Sequence, residues 1–365
     1  MTQPIYVTQP VLPELREFIP YLEQIWENKI LTNCGPLHQQ LEAELCEYLS
    51  VPYISLFNNG TIALVTALQA LDLAEGEVIT TPYTFVATAH SIAWNKLTPV
   101  FVDIDARTSN IDPKKVEQAI TDKTVAILPV HCYGIPCDVD SLQNIADQNN
   151  LKLIYDAAHA FGVRHQGQSL LNYGDLSVIS FHATKVFNTF EGGAIVCHSA
   201  EMKQRIDRLK NFGIVNETTI NDVSLNGKLS EVHAALGLLQ LKTIDQTLHA
   251  RQQIDQKYRE LLAGVDGVSC IQRRATEADN YSYFPIVISQ PYPLSRDELF
   301  EKLKEHEIFA RKYFYPLMTE LNVYKSFGSD TPNAKKISES VLCLPMYSAL
   351  DIKQCQFIID IIKDV

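Results

Sequence analysis

The chain has 365 residues, of which 46% are hydrophobic and 20% are charged. These values are ordinary for a globular protein, and the length exceeds what a single hydrophobic core usually supports. The formal net charge of −12 argues against a nucleic-acid partner bound through a broad basic face. The longest apolar runs have the length of strands, so we expect no membrane insertion.

The N-terminal residues and the cysteines bear on the compartment. Residues 1–4 lack the basic and apolar regions of a secretory signal peptide. We therefore expect a cytoplasmic protein whose eight cysteines are reduced thiols. His131, Cys132 and Cys137 lie close in sequence, but the C-x4-C spacing is loose and no second pair follows. Buried thiols are therefore favoured over a metal site, and no bound metal is expected.

Short β-branched runs alternate with helical patterns in the first part of the chain. The predicted strands cover residues 53–57, 78–80, 100–102, 125–130, 151–155, 176–181 and 194–197. The predicted helices between them cover residues 61–71, 85–95, 113–120 and 139–148. This alternation predicts an α/β fold with a mostly parallel central sheet flanked by helices. In such sheets, ligands bind at the carboxyl ends of the strands.

The pattern changes after residue 197. Long helical patterns occupy residues 200–212 and 228–262, and a polar stretch follows at 273–280. The last part of the chain predicts strands at 281–288 and 309–315 and helices at 295–306, 331–342 and 351–362. We therefore predict a large domain over residues 1–262 and a small C-terminal α+β domain over residues 263–365.

Three polar features follow predicted strands. Asn58-Asn59-Gly60-Thr61 opens a helix whose free N–H groups and hydroxyl suit a phosphate, although such helix starts are common. Asp156 is either a helix N-cap or the partner of a cation, because a buried carboxylate alone is costly. Lys185, among apolar and small residues, is either a surface lysine or an amine whose pKa is lowered by desolvation.

The three features together have a chemical meaning that none has alone. They combine a phosphate site, a partner for a protonated ring nitrogen and a lysine able to form an imine. Pyridoxal phosphate (PLP) requires these three things of the protein that binds it. Their joint occurrence after consecutive strands is much less probable by chance than any one of them.

Over nearly its whole length, the chain resembles the DegT/StrS family of PLP-dependent sugar-nucleotide aminotransferases, which have the aspartate-aminotransferase (type I) fold. The motifs that carry the resemblance are Leu31-Thr32-Asn33-x-Gly35-Pro36, Asn59-Gly60-Thr61-x-Ala63-Leu64, Thr81-Pro82-Tyr83-Thr84-Phe85, Asp156-Ala157-Ala158-His159, Ser180-Phe181-His182-x-x-Lys185, Glu191-Gly192-Gly193 and Asn226-Gly227-Lys228-x-Ser230-Glu231.

The resemblance implies roles for individual residues. Lys185 would form the Schiff base with PLP, and Asp156 would pair with the protonated ring nitrogen. Asn226 would reach the cofactor phosphate from the other subunit of a homodimer with shared active sites. The other implied cofactor contacts are phosphate binding by Gly60, Thr61 and Ser180, ring stacking by Phe85 and a contact between the ring's hydroxyl side and His159.

The family's chemistry implies the substrates. An amino donor, L-glutamate in most relatives, would leave its amine on the cofactor as pyridoxamine phosphate, and a nucleotide-linked ketosugar would collect it. The substrate is an anion, so positively charged side chains are expected near it although the chain as a whole is acidic. The candidates for its diphosphate and sugar are Arg311, Lys312, Tyr313 and Tyr315, although a half-exposed strand would explain these residues equally well.

The residues before Lys185 favour one sugar carbon. His182-Ala183-Thr184 resembles the relatives that aminate C4, whereas relatives acting at C3 tend to carry Tyr-Pro-Gly there. We therefore expect conversion of dTDP-4-keto-6-deoxy-D-glucose to dTDP-4-amino-4,6-dideoxy-D-glucose, a sugar for bacterial surface polysaccharide (O-antigen). His182 would assist proton transfer beside the sugar, or it would serve packing.

Other functions fit less well. A C3 aminotransferase, or one acting on another nucleotide-linked ketosugar, stays open. A sugar dehydratase of the same fold would carry histidine in place of Lys185. A non-catalytic PLP-binding regulatory protein would need no ketosugar pocket, and the intact set of Asp156, His159 and Lys185 argues against it. A nucleotide-dependent oxidoreductase is disfavoured because no G-x-G-x-x-G follows any predicted strand.

Overall fold

The computed structural model describes residues 4–73, 75–272 and 278–365. The strands are β1 (Ile5–Tyr6), β2 (Tyr53–Phe57), β3 (Glu77–Thr80), β4 (Thr98–Phe101), β5 (Thr124–Ile127), β6 (Lys152–Asp156), β7 (Arg164–His165), β8 (Gln168–Ser169), β9 (Leu176–Ser180), β10 (Gly193–Cys197), β11 (Ile214–Asn216), β12 (Thr219–Ile220), β13 (Val268–Cys270), β14 (Phe284–Ile288), β15 (Ile308–Phe309) and β16 (Val341–Leu344). The helices are α1 (Leu15–Asn28), α2 (Pro36–Leu49), α3 (Gly60–Ala70), α4 (Val86–Trp94), α5 (Pro113–Ala119), α6 (Val139–Gln148), α7 (Ala200–Leu209), α8 (Glu231–Leu262), α9 (Arg296–Glu305), α10 (Pro332–Ser340) and α11 (Ile352–Lys363).

A seven-stranded sheet dominates the fold, with the strand order β2-β10-β9-β6-β5-β3-β4. Strand β10 is antiparallel to both of its neighbours, and the other pairs are parallel. The predicted mostly parallel α/β sheet is therefore confirmed. Because β2, β3, β6 and β9 run in the same direction, the segments that follow them meet at one edge.

The sheet is buried on both faces because its side chains alternate between two cores. Ile54 and Leu56 of β2 pack in the core that also contains apolar residues of α2, α6 and α8. Val178 and Ile195 pack in the core formed with α3, α4 and α7. This double coverage explains why the strands read as continuous apolar runs in the sequence.

A third core surrounds the antiparallel sheet β13-β14-β16. Helices α9 and α11 cover this sheet, as Leu299 and Ile358 show. Ile5 of β1 also packs here, since β1 pairs in parallel with β15, and the last turns of α8 contribute Tyr258. The N-terminal strand and the end of α8 thus lie with this third core, and the domain division at residue 262 stays a prediction.

The predicted strand at 309–315 is wrong. The structure has only the two-residue strand β15 there, followed by a bridge at Arg311 and a turn. Beyond it, the Tyr313 carbonyl accepts hydrogen bonds from the hydroxyls of Tyr83 and Tyr133 instead of pairing in a ladder. The sequence did not predict helices α1 and α2 or strands β13 and β16. Of the polar stretch at 273–280, residues 273–277 lie outside the described part.

Two further observations concern the described residues. None of their helices is long and apolar enough to cross a membrane. All eight cysteines are free thiols, and no group of three or more His, Cys, Asp or Glu side chains among the described residues could hold a metal ion.

A charge cluster joins α2 to α7. The Glu42 carboxylate lies 2.9 Å from Lys203 Nζ, 3.4 Å from the buried Lys210 Nζ and 3.2 Å from His38 Nε2. Burial raises the pKa of Glu42, but His38 and the two lysines together hold it far below its ordinary value. The ionised carboxylate therefore stabilises the folded state.

Glu42→Gln is expected to lower the free energy of unfolding at pH 7 by about 2 kcal/mol, because charge-assisted hydrogen bonds are lost. The folded-state pKa of Glu42 is depressed, so this stabilisation is present above the unfolded-state pKa of about 4.3 and is lost as the pH falls. In urea unfolding at pH 3.5, the difference in the free energy of unfolding between the wild type and the variant should therefore be about 1 kcal/mol smaller than at pH 7. A constant difference would contradict the electrostatic explanation.

Candidate active site

A cavity of about 350 Å³ lies at the edge of the large sheet where β2, β3, β6 and β9 end. Its walls come from the segments that follow these strands, together with Tyr283 and residues 311, 313 and 314 of the turn after β15. The volume is typical of a small-molecule site. The position is the one that the parallel sheet predicts.

One wall of the cavity is the start of α3. Asn59 caps this helix, and its side-chain oxygen accepts a hydrogen bond from Ile62 N at 2.8 Å. Gly60 and Thr61 belong to the first turn, where N–H groups have no partner within the helix. A Cβ on Gly60 would lie 3.1 Å from Ser180 Cβ, so the glycine allows the helix start to approach Ser180 closely. The three predicted phosphate-binding residues therefore lie together.

Asp156 ends β6 and is buried at the floor of the cavity. Its two carboxyl oxygens accept hydrogen bonds from the Thr88 hydroxyl at 2.7 Å and from Ala158 N at 3.1 Å. Burial raises the pKa of Asp156, whereas these two donors and Lys185 oppose the rise. Turns rather than a helix follow Asp156, so the alternative role as a helix N-cap is wrong.

Lys185 lies in the turn after β9, where its N–H donates to His182 O at 2.8 Å. Its side chain lines the cavity rather than the outer surface, and Nζ lies 3.4 Å from Tyr283 Oη. Desolvation lowers the pKa of Lys185 to about 8, and the carboxylate of Asp156 opposes this effect. The amine is therefore closer to its neutral, nucleophilic form than an ordinary lysine is.

Two rings face the same space. Phe85, at the N-cap of α4, lines the cavity and is 58% exposed although it is a large apolar side chain. His159 is buried, and its Nδ1 accepts a hydrogen bond from Tyr133 N at 3.2 Å. Burial holds the pKa of His159 well below its ordinary value, so the ring is neutral and its proton lies on Nε2. His159 therefore keeps one N–H donor for a ligand.

His182 lies at the rim of the cavity. Its Nδ1 is 2.8 Å from Thr184 Oγ1, and its Nε2 is 3.6 Å from a carboxylate oxygen of Glu191. The two contacts orient the imidazole beside Lys185, within the set of residues that line the cavity. The predicted catalytic residues Lys185, Asp156 and His182 thus all border one space.

The predicted sugar and diphosphate contacts separate into two pairs. Arg311 and Tyr313 line the cavity, and the Arg311 guanidinium lies 5.2 Å from the centroid of the Tyr313 ring. Lys312 instead pairs with Asp297 at 2.5 Å, and Tyr315 lies against Arg296. Neither Lys312 nor Tyr315 lines the cavity of this chain.

Asn226, the residue predicted to act across a subunit interface, is exposed. Its carbonyl accepts a long hydrogen bond from Asn58 Nδ2 at 3.4 Å. It does not line the cavity of its own chain. Its predicted contact with a partner's cofactor therefore stays a prediction.

Some cavity residues were not found by sequence reasoning. Thr88 donates to Asp156 from α4, a helix that also carries His90 and Ser91, so its polar side chain gave no distinct signal. Tyr283 lies beside Lys185, although 98 positions separate them in the chain. Glu191 was part of a motif but carried no assigned role. Tyr283 is so distant in sequence from Lys185 that no local pattern linked the two residues.

Residues 14–363 match the DegT/DnrJ/EryC1/StrS aminotransferase family. The chain belongs to this family. It is therefore an aminotransferase, and the α/β architecture described above is that of the solved structures to which it is similar.

Three similar proteins illustrate the relationship. The chain is 58% identical over 367 residues to the dTDP-4-amino-4,6-dideoxy-D-glucose transaminase of Shigella dysenteriae, covering 100% of both chains. It is 54% identical to the Escherichia coli protein of the same name, covering 95% of each. Among solved structures, DesI in the presence of its TDP-sugar product is 34% identical, with a TM-score of 0.95 over 100% of this chain and 93% of that one.

Membership of this family implies PLP as the cofactor, and the cavity fits it. The fixed carboxyl of Asp156, the amine of Lys185 and the helix start at Gly60 match the ring nitrogen, the aldehyde and the phosphate of PLP. The missing Cβ of Gly60 keeps space free next to Ser180. These three protein groups thus match the three polar parts of the cofactor.

The lowered pKa of Lys185 predicts how the cofactor-free protein takes up PLP. Only the neutral amine attacks an aldehyde, so the rate of covalent attachment should rise with pH and be half-maximal near pH 8. Asp156→Ala removes the charge that raises the pKa of Lys185, so PLP attachment to this variant should be half-maximal at a lower pH. Stopped-flow absorbance after adding PLP measures both midpoints. A midpoint near 10 in the wild type would contradict the effect of desolvation.

Proposed function

We propose that this aminotransferase uses PLP to transfer an amino group from L-glutamate to C4 of dTDP-4-keto-6-deoxy-D-glucose, giving dTDP-4-amino-4,6-dideoxy-D-glucose. The observation that carries the reaction type is one cavity in which a lysine with a pKa of about 8 faces a buried, hydrogen-bonded aspartate. The substrate is supported by the names of the two relatives at 58% and 54% identity.

The similarity to DesI supports the same class of acceptor, since that structure was determined in the presence of a TDP-sugar product. The sequence before Lys185 supports attack at C4. The use of L-glutamate as donor, the place of the product in surface-polysaccharide synthesis and the cytoplasmic location all stay predictions from the sequence.

In the proposed mechanism, Asp156 and Lys185 handle the protons. When bound, PLP contributes an aldehyde and an electron-accepting ring. The Asp156 carboxylate, held by Thr88 and Ala158 N, keeps a proton on the ring nitrogen. Nζ of Lys185 would hold the aldehyde group of the cofactor, and as a free amine it would take a proton from the donor carbon and deliver one to the sugar carbon.

The other cavity residues position the two molecules. The N–H groups of Gly60 and Thr61, with the Ser180 hydroxyl, bind the cofactor phosphate. Phe85 would stack on the cofactor ring, and the Nε2–H of His159 would donate a hydrogen bond to the ring hydroxyl. Arg311 and Tyr313 bind the acceptor's diphosphate and sugar, and His182 lies beside the sugar, as the lining of the cavity supports.

Product identification tests this proposal. The purified protein is incubated with PLP, L-glutamate and dTDP-4-keto-6-deoxy-D-glucose, and the nucleotide sugar is analysed by NMR. We expect an amine at C4. An amine at C3, or turnover of a UDP- or GDP-linked ketosugar in place of this substrate, would overturn the substrate assignment. Binding of PLP with no transamination of any ketosugar would instead favour a regulatory protein.

We also propose a homodimer with shared active sites. Apolar side chains are widely exposed on α1 and around Asn226, including Trp26 at 69%, Ile220 at 66% and Val223 at 95%. A partner subunit would cover this surface. Asn226 is exposed and does not line its own cavity, which supports a contact with the phosphate in the partner's cavity.

Mixed dimers distinguish shared from separate sites. Lys185→Ala and Asn226→Ala chains are each expected to be poorly active. Unfolding and refolding them together should restore activity, because one site of the mixed dimer then has an intact lysine and an intact asparagine from different chains. If each site used only its own chain's residues, mixing would restore nothing.

A further inference from the structure

Two buried tyrosines meet behind the cavity wall. Tyr83, from the segment between β3 and α4, and Tyr133, from the segment after β5, are both 0% exposed. Their hydroxyl oxygens lie 2.5 Å apart. Both oxygens also lie within hydrogen-bond distance of the Tyr313 carbonyl, Tyr83 at 3.0 Å and Tyr133 at 2.5 Å. The two hydroxyls and one carbonyl form a closed polar cluster in an apolar surrounding.

This cluster holds the part of the cavity that comes from the turn after β15. The Phe314 ring packs edge-on against Tyr83 at 5.6 Å and lies parallel to Tyr133 at 6.3 Å. Phe314 also lies parallel to His159 at 6.0 Å between ring centroids. One carbonyl and one ring thereby hold the backbone of Tyr313 and Phe314 against the large sheet, whereas the Arg311 backbone pairs with Cys343 of β16.

The hydroxyls of Tyr83 and Tyr133 contact the turn after β15 rather than the cavity. Neither tyrosine lines the cavity, so neither touches a ligand there. Each hydroxyl is within reach of the Tyr313 carbonyl, so loss of one leaves a donor in place, whereas loss of both leaves the carbonyl without either donor. Tyr313 would then be free to shift, and with it the Arg311 guanidinium that lies over its ring, although the Arg311 backbone stays paired with Cys343.

We infer that the hydroxyl pair of Tyr83 and Tyr133 is a positioning unit that sets the affinity of the site for the nucleotide-sugar acceptor. The inference rests on the proposed function, because it takes Arg311 and Tyr313 as acceptor contacts. The two hydroxyls act through the backbone of the turn. They do not enter the proton transfers at Lys185, so they affect binding of the acceptor rather than the chemistry with the amino donor.

The test compares Tyr83→Phe, Tyr133→Phe and the double variant, using the PLP-loaded protein. The single variants should raise the KM for the acceptor by about 3-fold, and the double variant by more than about 10-fold, the range expected for a lost buried hydrogen bond. The dissociation constant of dTDP, measured by calorimetry, should rise in parallel. The rate at which L-glutamate changes the cofactor absorbance should stay unchanged.

Tyr292→Phe is the matched control. Tyr292 is also buried, and its hydroxyl donates to a carbonyl, that of Ile362, at 2.8 Å, but it does not line or support the cavity. This variant should lose thermal stability with no change in KM. If the double variant behaves in the same way, the hydroxyl pair is structural only and the inference is wrong. A wild-type protein that aminates no ketosugar would instead refute the proposed function, and dTDP binding would still test the inference.

Discussion

Lys185→Ala is expected to lower transaminase activity by at least about 10³-fold, because the variant loses both the nucleophile and the proton carrier. Lys185→Arg should be equally inactive, since a guanidinium keeps the charge but stays protonated. The variants should still fold, because the Lys185 side chain faces the cavity and its hydrogen bond to Tyr283 is long, at 3.4 Å.

Mass spectrometry after borohydride reduction measures the effect directly. The wild type should carry the reduced cofactor on the peptide that contains Lys185, and the variants should carry none. Lys152→Ala is a suitable control, because Lys152 begins β6 at the opposite edge of the sheet and pairs with Asp175 at 3.0 Å. Attachment of the cofactor to another lysine in the wild type would show that the assignment is wrong.

Asp156→Asn is expected to reduce the turnover number by about 10²- to 10³-fold while the protein still binds PLP. The amide has the same shape but carries no negative charge, so the ring nitrogen loses the partner that keeps it protonated. A cofactor analogue methylated at this nitrogen carries a permanent positive charge. It should restore part of the activity of the variant, since the charge no longer depends on Asp156.

Asp103→Asn is the matched control for this substitution. Asp103 is a buried carboxylate that follows β4, and its two oxygens accept hydrogen bonds from Asn333 N at 3.0 Å and Ala334 N at 2.8 Å. Its loss should lower stability and leave turnover unchanged. If both variants lost activity equally, or if the methylated analogue gave no rescue, Asp156 would have a structural rather than an electronic role.

The local pattern of the sequence was sufficient for the large sheet. Each of its strands was predicted within a few residues, because a strand covered on both faces must be apolar throughout. The predicted site followed from the same pattern, since residues directly after parallel strands meet at one edge. Gly60, Asp156 and Lys185 were found in this way, and the structure brings them to one cavity.

The sequence was less informative where function depends on contacts between distant segments. The segment 309–315 reads as a strand, but its backbone turns after the bridge at Arg311, and the Tyr313 carbonyl accepts hydrogen bonds from the hydroxyls of Tyr83 and Tyr133. The same turn directs Arg311 into the cavity and leaves Lys312 paired with Asp297 outside it. The local sequence does not show which of these two neighbouring cations faces the cavity.

The sequence by itself determined the fold class and placed Asp156 and Lys185 at the ends of parallel strands, because both depend on periodicity and on position relative to a strand. Only the tertiary structure decided which side chains surround them. Thr88 reaches Asp156 across 68 positions of the chain, and Tyr283 reaches Lys185 across 98. The physical reason is that hydrogen bonding and desolvation depend on distance in space, which the packing of helices on the sheet fixes and local sequence does not.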